Sequence, residues 1–383
     1  MNFSIQGWKG RALGLLAAAV LVACGGGDDN PPAVASVRTF GDSLADVGTF
    51  AIAGTPRFTI QGPNSKVYPE LVGAAYNLSA TCNFFVFTGT TFAPNPTANC
   101  SNYAIGGSRI NGGSNGTAAA DPRNIGVQLD TATAGGNFKA SDLLLIDGGG
   151  NDAADLVGAF LAAQQGAPAG YLGILGQLLS AADVTQATKS ASDLGAAGGL
   201  YMVALADRMT DLVRTKALAK GAERVAILNA PAITLTPRFQ MVLGGVEAAK
   251  GKATRLQLEG LFNLWVDSFN ARLKNNFNGD SRVTVIDANA AFVAWVANPS
   301  AYGLTDAKRA ACPVTGVGSD GLPTYSFATC TEAALSASTP PAGATGATWY
   351  QSWLFSDGFH PSQKGHLLLA DVITTQLKAA GWL

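Results

Sequence analysis

Ser43, Asp357 and His360 carry the chemistry this chain could do, and the chemistry is acyl transfer. Ser43 follows an apolar-rich run, residues 34–40, and sits in Gly41-Asp42-Ser43. Such a run ending in Gly-Asp-Ser reads as a strand followed by a tight turn. A serine on that turn lies at the open edge of an α/β sheet, where these folds place their reactive groups. The pattern predicts a helix after Ser43, with backbone N–H groups pointing outward and the positive end of the helix dipole behind them. A serine hydroxyl needs a base, and the chain has two histidines, His360 and His366. Asp357 precedes His360 by three residues, with Gly358 between. A turn bent at Gly358 can bring the carboxylate to the imidazole Nδ1–H, where it fixes the tautomer and stabilises the imidazolium. Pro361 biases His360 toward an extended backbone.

An oxyanion forming on the acyl carbon needs donors. Two glycine-rich stretches offer them. Asn102-Tyr103-Ala104-Ile105-Gly106-Gly107 is a short strand opening into a turn, and Leu143-Leu144-Leu145-Ile146 is a buried-strand pattern running through Asp147 and three glycines to Asn151 and Asp152. The candidate donors are the Ser43 N–H, the Gly107 N–H and the Asn151 side-chain amide. Glycine allows a ligand close to the backbone, and a neutral amide donates without deprotonating. Gly106 is an equal alternative to Gly107. Each residue also has a structural reading. Asp-Ser is common turn chemistry, Asn151 suits a helix N-cap, and Asp357 suits an exposed loop. His366 suits packing or capping in the last helix, and Asp42, Asp46 and Asp152 suit turns and helix ends. All of these holding at once, in this order along the chain, is the weaker account.

Those blocks, with Asp357-Gly358-Phe359-His360-Pro361-Ser362 as the last, resemble the GDSL (SGNH) family of serine esterases and lipases, in particular its bacterial phospholipase and lipolytic branch. The resemblance spans residues 35 to about 380. It implies a three-layer α/β/α sandwich with a mainly parallel central sheet, of SGNH-hydrolase, flavodoxin-like type. It gives Ser43, His360 and Asp357 the roles above and implies hydrolysis of acyl esters or lipids. The alternatives are an O-acetyl esterase acting on polysaccharide and a non-catalytic surface lipoprotein on the same fold. Trp353, Phe355 and Phe359 could line an acyl pocket or fill the core. Gly112-Gly113-Ser114-Asn115-Gly116 matches the G-x-S-x-G string of α/β-hydrolases, but no strand precedes it.

The elements that must position these groups follow from periodicity. Strands are expected at 142–147, 224–228 and 283–286, alternating with helices at 67–78, 153–165, 171–182, 194–220, 246–277, 288–297 and 365–380. That alternation implies a parallel sheet covered on both faces. Leu258, Leu261, Phe262, Trp265, Phe269 and Leu273 recur at helical spacing and are read as core. Of the 383 residues, 48% are hydrophobic and 13% charged, enough for a large core, and the net charge of −1 leaves no footprint for nucleic acid. Two histidines and no C-x-x-C give no metal-ligand pattern, so neither metal nor cofactor is expected. Cys82, Cys100, Cys312 and Cys330 allow three pairings, and closure between sequence neighbours favours Cys82–Cys100 and Cys312–Cys330.

Lys9 and Arg11 precede an apolar run at 12–23, too short to span a membrane with ease. The run ends Leu21-Val22-Ala23-Cys24, which resembles the lipobox of bacterial lipoproteins. The reading is a signal peptide at 1–23, a lipidated Cys24, a tether at 24–34 and a single domain at 35–383. It implies an exported monomer anchored to a bacterial membrane, periplasmic or at the cell surface, or secreted if not lipidated. Mass spectrometry of the N-terminal peptide from the native host should find acyl chains on Cys24; an unmodified chain starting elsewhere would remove the anchor.

Overall fold

Ser36–Phe40 forms strand β1, and everything that meets at Ser43 is arranged from its end. In this computed structural model, residues 33–79, 81–112 and 119–383 are described. The proposed signal segment, Cys24, most of the tether and Ser114 lie outside them. Strands β2 (Asp142–Ile146), β3 (Val225–Leu228) and β4 (Val283–Ile286) follow β1 in the sheet, all parallel. On the free side of β1 the segment 101–105 pairs with it through Thr39 N–H to Ser101 O at 3.0 Å and Tyr103 N–H to Thr39 O at 2.7 Å. With that segment counted as a strand, the spatial order is 2-1-3-4-5. The order reverses beside β1, and ligands of open α/β sheets bind in the crevice at such a point, beyond the strands' carboxyl ends.

The sheet is apolar on both faces because helices cover both, the mixed α/β architecture expected. Leu143 and Leu145 of β2 and Ala226 and Leu228 of β3 face helices α1 (Tyr68–Ala75), α6 (Ala288–Ala297) and α7 (Gln363–Ala379). Leu144 and Ile146, with Val225 and Ile227, face the other way, toward α2 (Gly150–Ala163), α3 (Ala191–Leu212) and α5 (Lys252–Asn276). The period of two along each strand assigns alternate residues to the two cores. Each fully buried Leu or Ile contributes about 2 kcal/mol relative to exposure. The stripe on α5 is core as read, with Phe262, Trp265, Phe269 and Leu273 buried.

The helix expected over 246–277 is two helices. Helix α4 (Pro237–Lys250) begins at a Thr236 cap, ends at Gly251 with φ +85°, and hands over to α5. A glycine at positive φ ends the first helix there. The region between Cys312 and Cys330 carries a small hairpin, Gly316–Val317 with Pro323–Thr324. Just before it, Asp306–Ala310 pairs in parallel with Trp353–Phe355. Both local disulfides, Cys82–Cys100 and Cys312–Cys330, are present, each closing 18 residues and each worth about 3 kcal/mol on the chain-entropy account. Residues 33–383 belong to one compact unit.

Candidate active site

The loop after β1 is held by its neighbours before it reaches Ser43. Gly41 has φ +148°, and a Cβ there would stand 1.7 Å from Asp147 Oδ1, so only glycine fits. The space lets Asp147 accept the Asp42 N–H at 2.8 Å on Oδ1 and the Tyr68 hydroxyl at 2.9 Å on Oδ2. Gln128, fully buried, accepts the Gly41 N–H at 2.8 Å and donates to the Gly41 carbonyl at 3.0 Å. No helix follows Ser43, which corrects the sequence expectation. Asp42 Oδ1 takes the Leu44 N–H, Asp46 Oδ1 takes those of Gly48 and Thr49, and Ala45 N–H returns to Asp42 O. Short acidic side chains compete here with helical bonding and close a turn instead. The first α-helix after Ser43 begins at Tyr68. No helix dipole therefore stands behind Ser43.

Three sequence candidates meet at this turn. Ser43 Oγ lies 2.8 Å from His360 Nε2, and His360 Nδ1 lies 2.9 Å from Asp357 Oδ2 and 3.0 Å from Oδ1. Asp357 Oδ1 also accepts the N–H groups of Phe359 at 2.8 Å and His360 at 2.6 Å. That turn explains the three-residue spacing: the carboxylate bonds the backbone of its own loop and then the ring. Burial alone would raise the Asp357 pKa, but the His360 charge and these hydrogen bonds hold it below the usual carboxylate value. Burial would likewise lower His360, and Asp357 outweighs it, leaving the imidazole above the ordinary histidine value. Phe58 and Phe327 pack on the ring, with centroids at 5.2 and 5.5 Å.

Gly106 and Gly107, inseparable by sequence, differ here. The Gly106 N–H donates to Asp46 Oδ2 at 2.9 Å. Among the described residues, the N–H groups of Ser43 and Gly107 donate to nothing. Asn151 is in the first turn of α2, after Gly149 as the cap, so it is not the N-cap. Its amide is engaged, with Nδ2 donating to Ser108 O at 3.0 Å and to Asp42 Oδ2 at 3.2 Å. Asp152 accepts the Ile110 and Asn111 N–H groups, and burial raises its pKa to about 6.

A cavity of about 150 Å³ opens beside Ser43, His360 and Asn151. Phe355 and Phe359 line it, together with Leu228, Phe292, Trp295 and Leu369. Trp353 does not, which corrects its assignment. It packs against Trp349 at 4.7 Å beneath the Arg309 guanidinium, in the cluster around the Cys312–Cys330 disulfide. Phe292, Trp295 and Leu369 carry no sequence signal beyond helical periodicity, and neither does Gln128. Phe58 and Phe327 sit in loops without pattern. Among the described residues, no group of three His, Cys, Asp or Glu could hold a metal ion.

Ser43, His360 and Asp357 are thus joined at the carboxyl edge of a parallel sheet. The chain belongs to the GDSL-like lipase/acylhydrolase family, whose sequence model matches residues 37–373, and is a carboxylic ester hydrolase. No curated protein matches the chain. Among solved structures, an extracellular lipase from Streptomyces rimosus is similar to it at 15% identity, covering 89% of this chain and 98% of that one with a TM-score of 0.39.

His366 is fully buried in the first turn of α7, which Ser362 caps. Neither ring nitrogen has a hydrogen-bond partner among the described residues. Burial, with the His360 charge, pushes its pKa down to about 3. An unfolded chain's histidine titrates near about 6.5. Between those values the unfolded chain binds a proton that the folded chain refuses. Stability is therefore lost as the pH falls through about 6.5, by up to about 1.4 kcal/mol per pH unit. His366→Leu should flatten the fall of Tm between pH 7 and pH 4; an unchanged slope would show that His366 contributes nothing to acid sensitivity.

Proposed function

We propose that this hydrolase cleaves acyl esters through an acyl-enzyme formed on Ser43. One observation carries the reading: Ser43 Oγ, His360 Nε2 and the Asp357 carboxylate form one continuous hydrogen-bonded chain. His360 Nε2 takes the Ser43 proton as Oγ attacks the ester carbon, and Asp357 stabilises the imidazolium that results. The oxyanion is received by the unoccupied N–H groups of Ser43 and Gly107, with the Asn151 amide turning its long bond to Asp42 toward it. His360 then protonates the departing alcohol. Water, deprotonated by the same ring, attacks the acyl carbon and releases the acid and free Ser43. The substrate is an acyl ester or lipid, and no metal takes part. Export and anchoring through Cys24 belong to the same proposal.

Ser43→Ala should abolish turnover and fluorophosphonate labelling, with Ser114 left unlabelled. His360→Ala should be nearly as damaging, because the two act as a unit. Asp357→Asn should lower kcat about 10³–10⁴-fold, and Asn151→Ala about 10²–10³-fold with KM little changed. In the parent, kcat/KM should fall as the pH drops through an inflection above about 6.5, since the protonated ring cannot accept the Ser43 proton. Asp357→Asn should move that inflection lower. Labelling at Ser114, or a pH profile flat across this range, would refute the assignment.

A further inference from the structure

We propose that the cavity beside Ser43 is the acyl pocket and that its small volume restricts the enzyme to short acyl groups, of about six carbons. The inference rests on the acyl-enzyme reading above and adds the substrate class to it. Two apolar recesses meet at Asn151 and Phe359. The smaller, about 150 Å³, has Ser43 and His360 in its wall. The larger, about 1310 Å³, is a groove along α2, α4 and α5, touching Val242, Leu258 and Leu261, and has neither Ser43 nor His360 in its wall.

An acyl group bonded to Ser43 Oγ must place its first carbons in the recess that contains Ser43. That recess is lined by buried Phe292, Trp295 and Leu369, side chains of the core between the sheet and helices α6 and α7. Within that wall Phe292 packs edge-on against Phe355 with centroids at 5.7 Å, so the two rings brace each other. A cavity of this volume holds a benzene-sized group, about six carbon atoms. Each methylene accommodated in such a pocket changes specificity about tenfold or more, so the limit is readable in kinetics. The groove receives what lies on the far side of the ester.

The test is kcat/KM for p-nitrophenyl acetate, butyrate, hexanoate, decanoate and palmitate with the full mature protein. The parent should peak at butyrate or hexanoate and fall at least tenfold by decanoate. Trp295→Ala, which removes a large side chain from the wall and enlarges the recess, should raise the decanoate-to-hexanoate ratio at least tenfold. Ala288→Leu, which adds bulk to the pocket wall, should lower the hexanoate-to-acetate ratio by a similar factor, and decides the matter if Trp295→Ala does not fold. Gly245→Trp fills the groove from a position whose Cβ would meet nothing within 4 Å and should leave these ratios within twofold. A parent that prefers decanoate or palmitate, or a chain-length profile controlled by Gly245→Trp, would place the acyl chain in the groove and overturn the proposal. Hydrolysis of none of the esters would instead refute the catalytic reading, and this inference with it.

Discussion

The parallel pairing of Phe40 with Ile146 is the constraint on which the site depends. It ends β1 and β2 side by side, so the chain leaves the sheet in two adjacent loops, one carrying Ser43 and the other leading to Asn151 in the first turn of α2. Asp147 N–H to Phe40 O at 3.0 Å extends the pairing by one bond beyond the strands. The Asp147 carboxylate then reaches the Asp42 N–H across the space that Gly41 leaves open. A slip of one residue in this register would exchange the two faces of β2 and carry Asp147 away from the Ser43 loop.

The same loops hold a set of buried acids. Burial raises the pKa of Asp42, Asp46 and Asp152, and raises Asp147 well above the usual carboxylate value, with the Asp42 charge adding to it. Burying carboxylates costs free energy unless hydrogen bonds offset it. Here each accepts backbone N–H groups of a loop that has no regular structure of its own. The arrangement supplies what a helix would have supplied after Ser43: a fixed backbone, with the Ser43 N–H left without a partner among the described residues. Asp46 shows the logic at one atom. By occupying the Gly106 N–H it leaves Gly107 as the free donor.

How much was legible follows from how local each signal is. His360 and Asp357 share one turn, so their spacing showed the pairing directly, and the strand-then-turn pattern located Ser43. Alternating apolar runs gave the parallel sheet, and the cysteines' proximity favoured the pairing found. The stretch after Ser43 is turn rather than the expected helix because Asp42 and Asp46 bond the backbone N–H groups of Leu44, Gly48 and Thr49. The expected 246–277 helix runs through Gly251, whose positive φ ends one helix and lets the next begin. Trp353 sits two residues from Phe355, and only tertiary packing sends one to the disulfide cluster and the other to the cavity. Phe292, Trp295 and Leu369 look like any core residues of α6 and α7. What makes them a pocket wall is the space left beside Ser43, which no local pattern encodes.

The central claim is that the nucleophile and its oxyanion donors are assembled before substrate arrives, and the structure of a fluorophosphonate adduct tests it most directly. The phosphorus should be bonded to Ser43 Oγ, with one phosphoryl oxygen about 2.7–3.1 Å from the backbone nitrogens of Ser43 and Gly107. An adduct on another residue, or a phosphoryl oxygen turned away from both nitrogens, would contradict it.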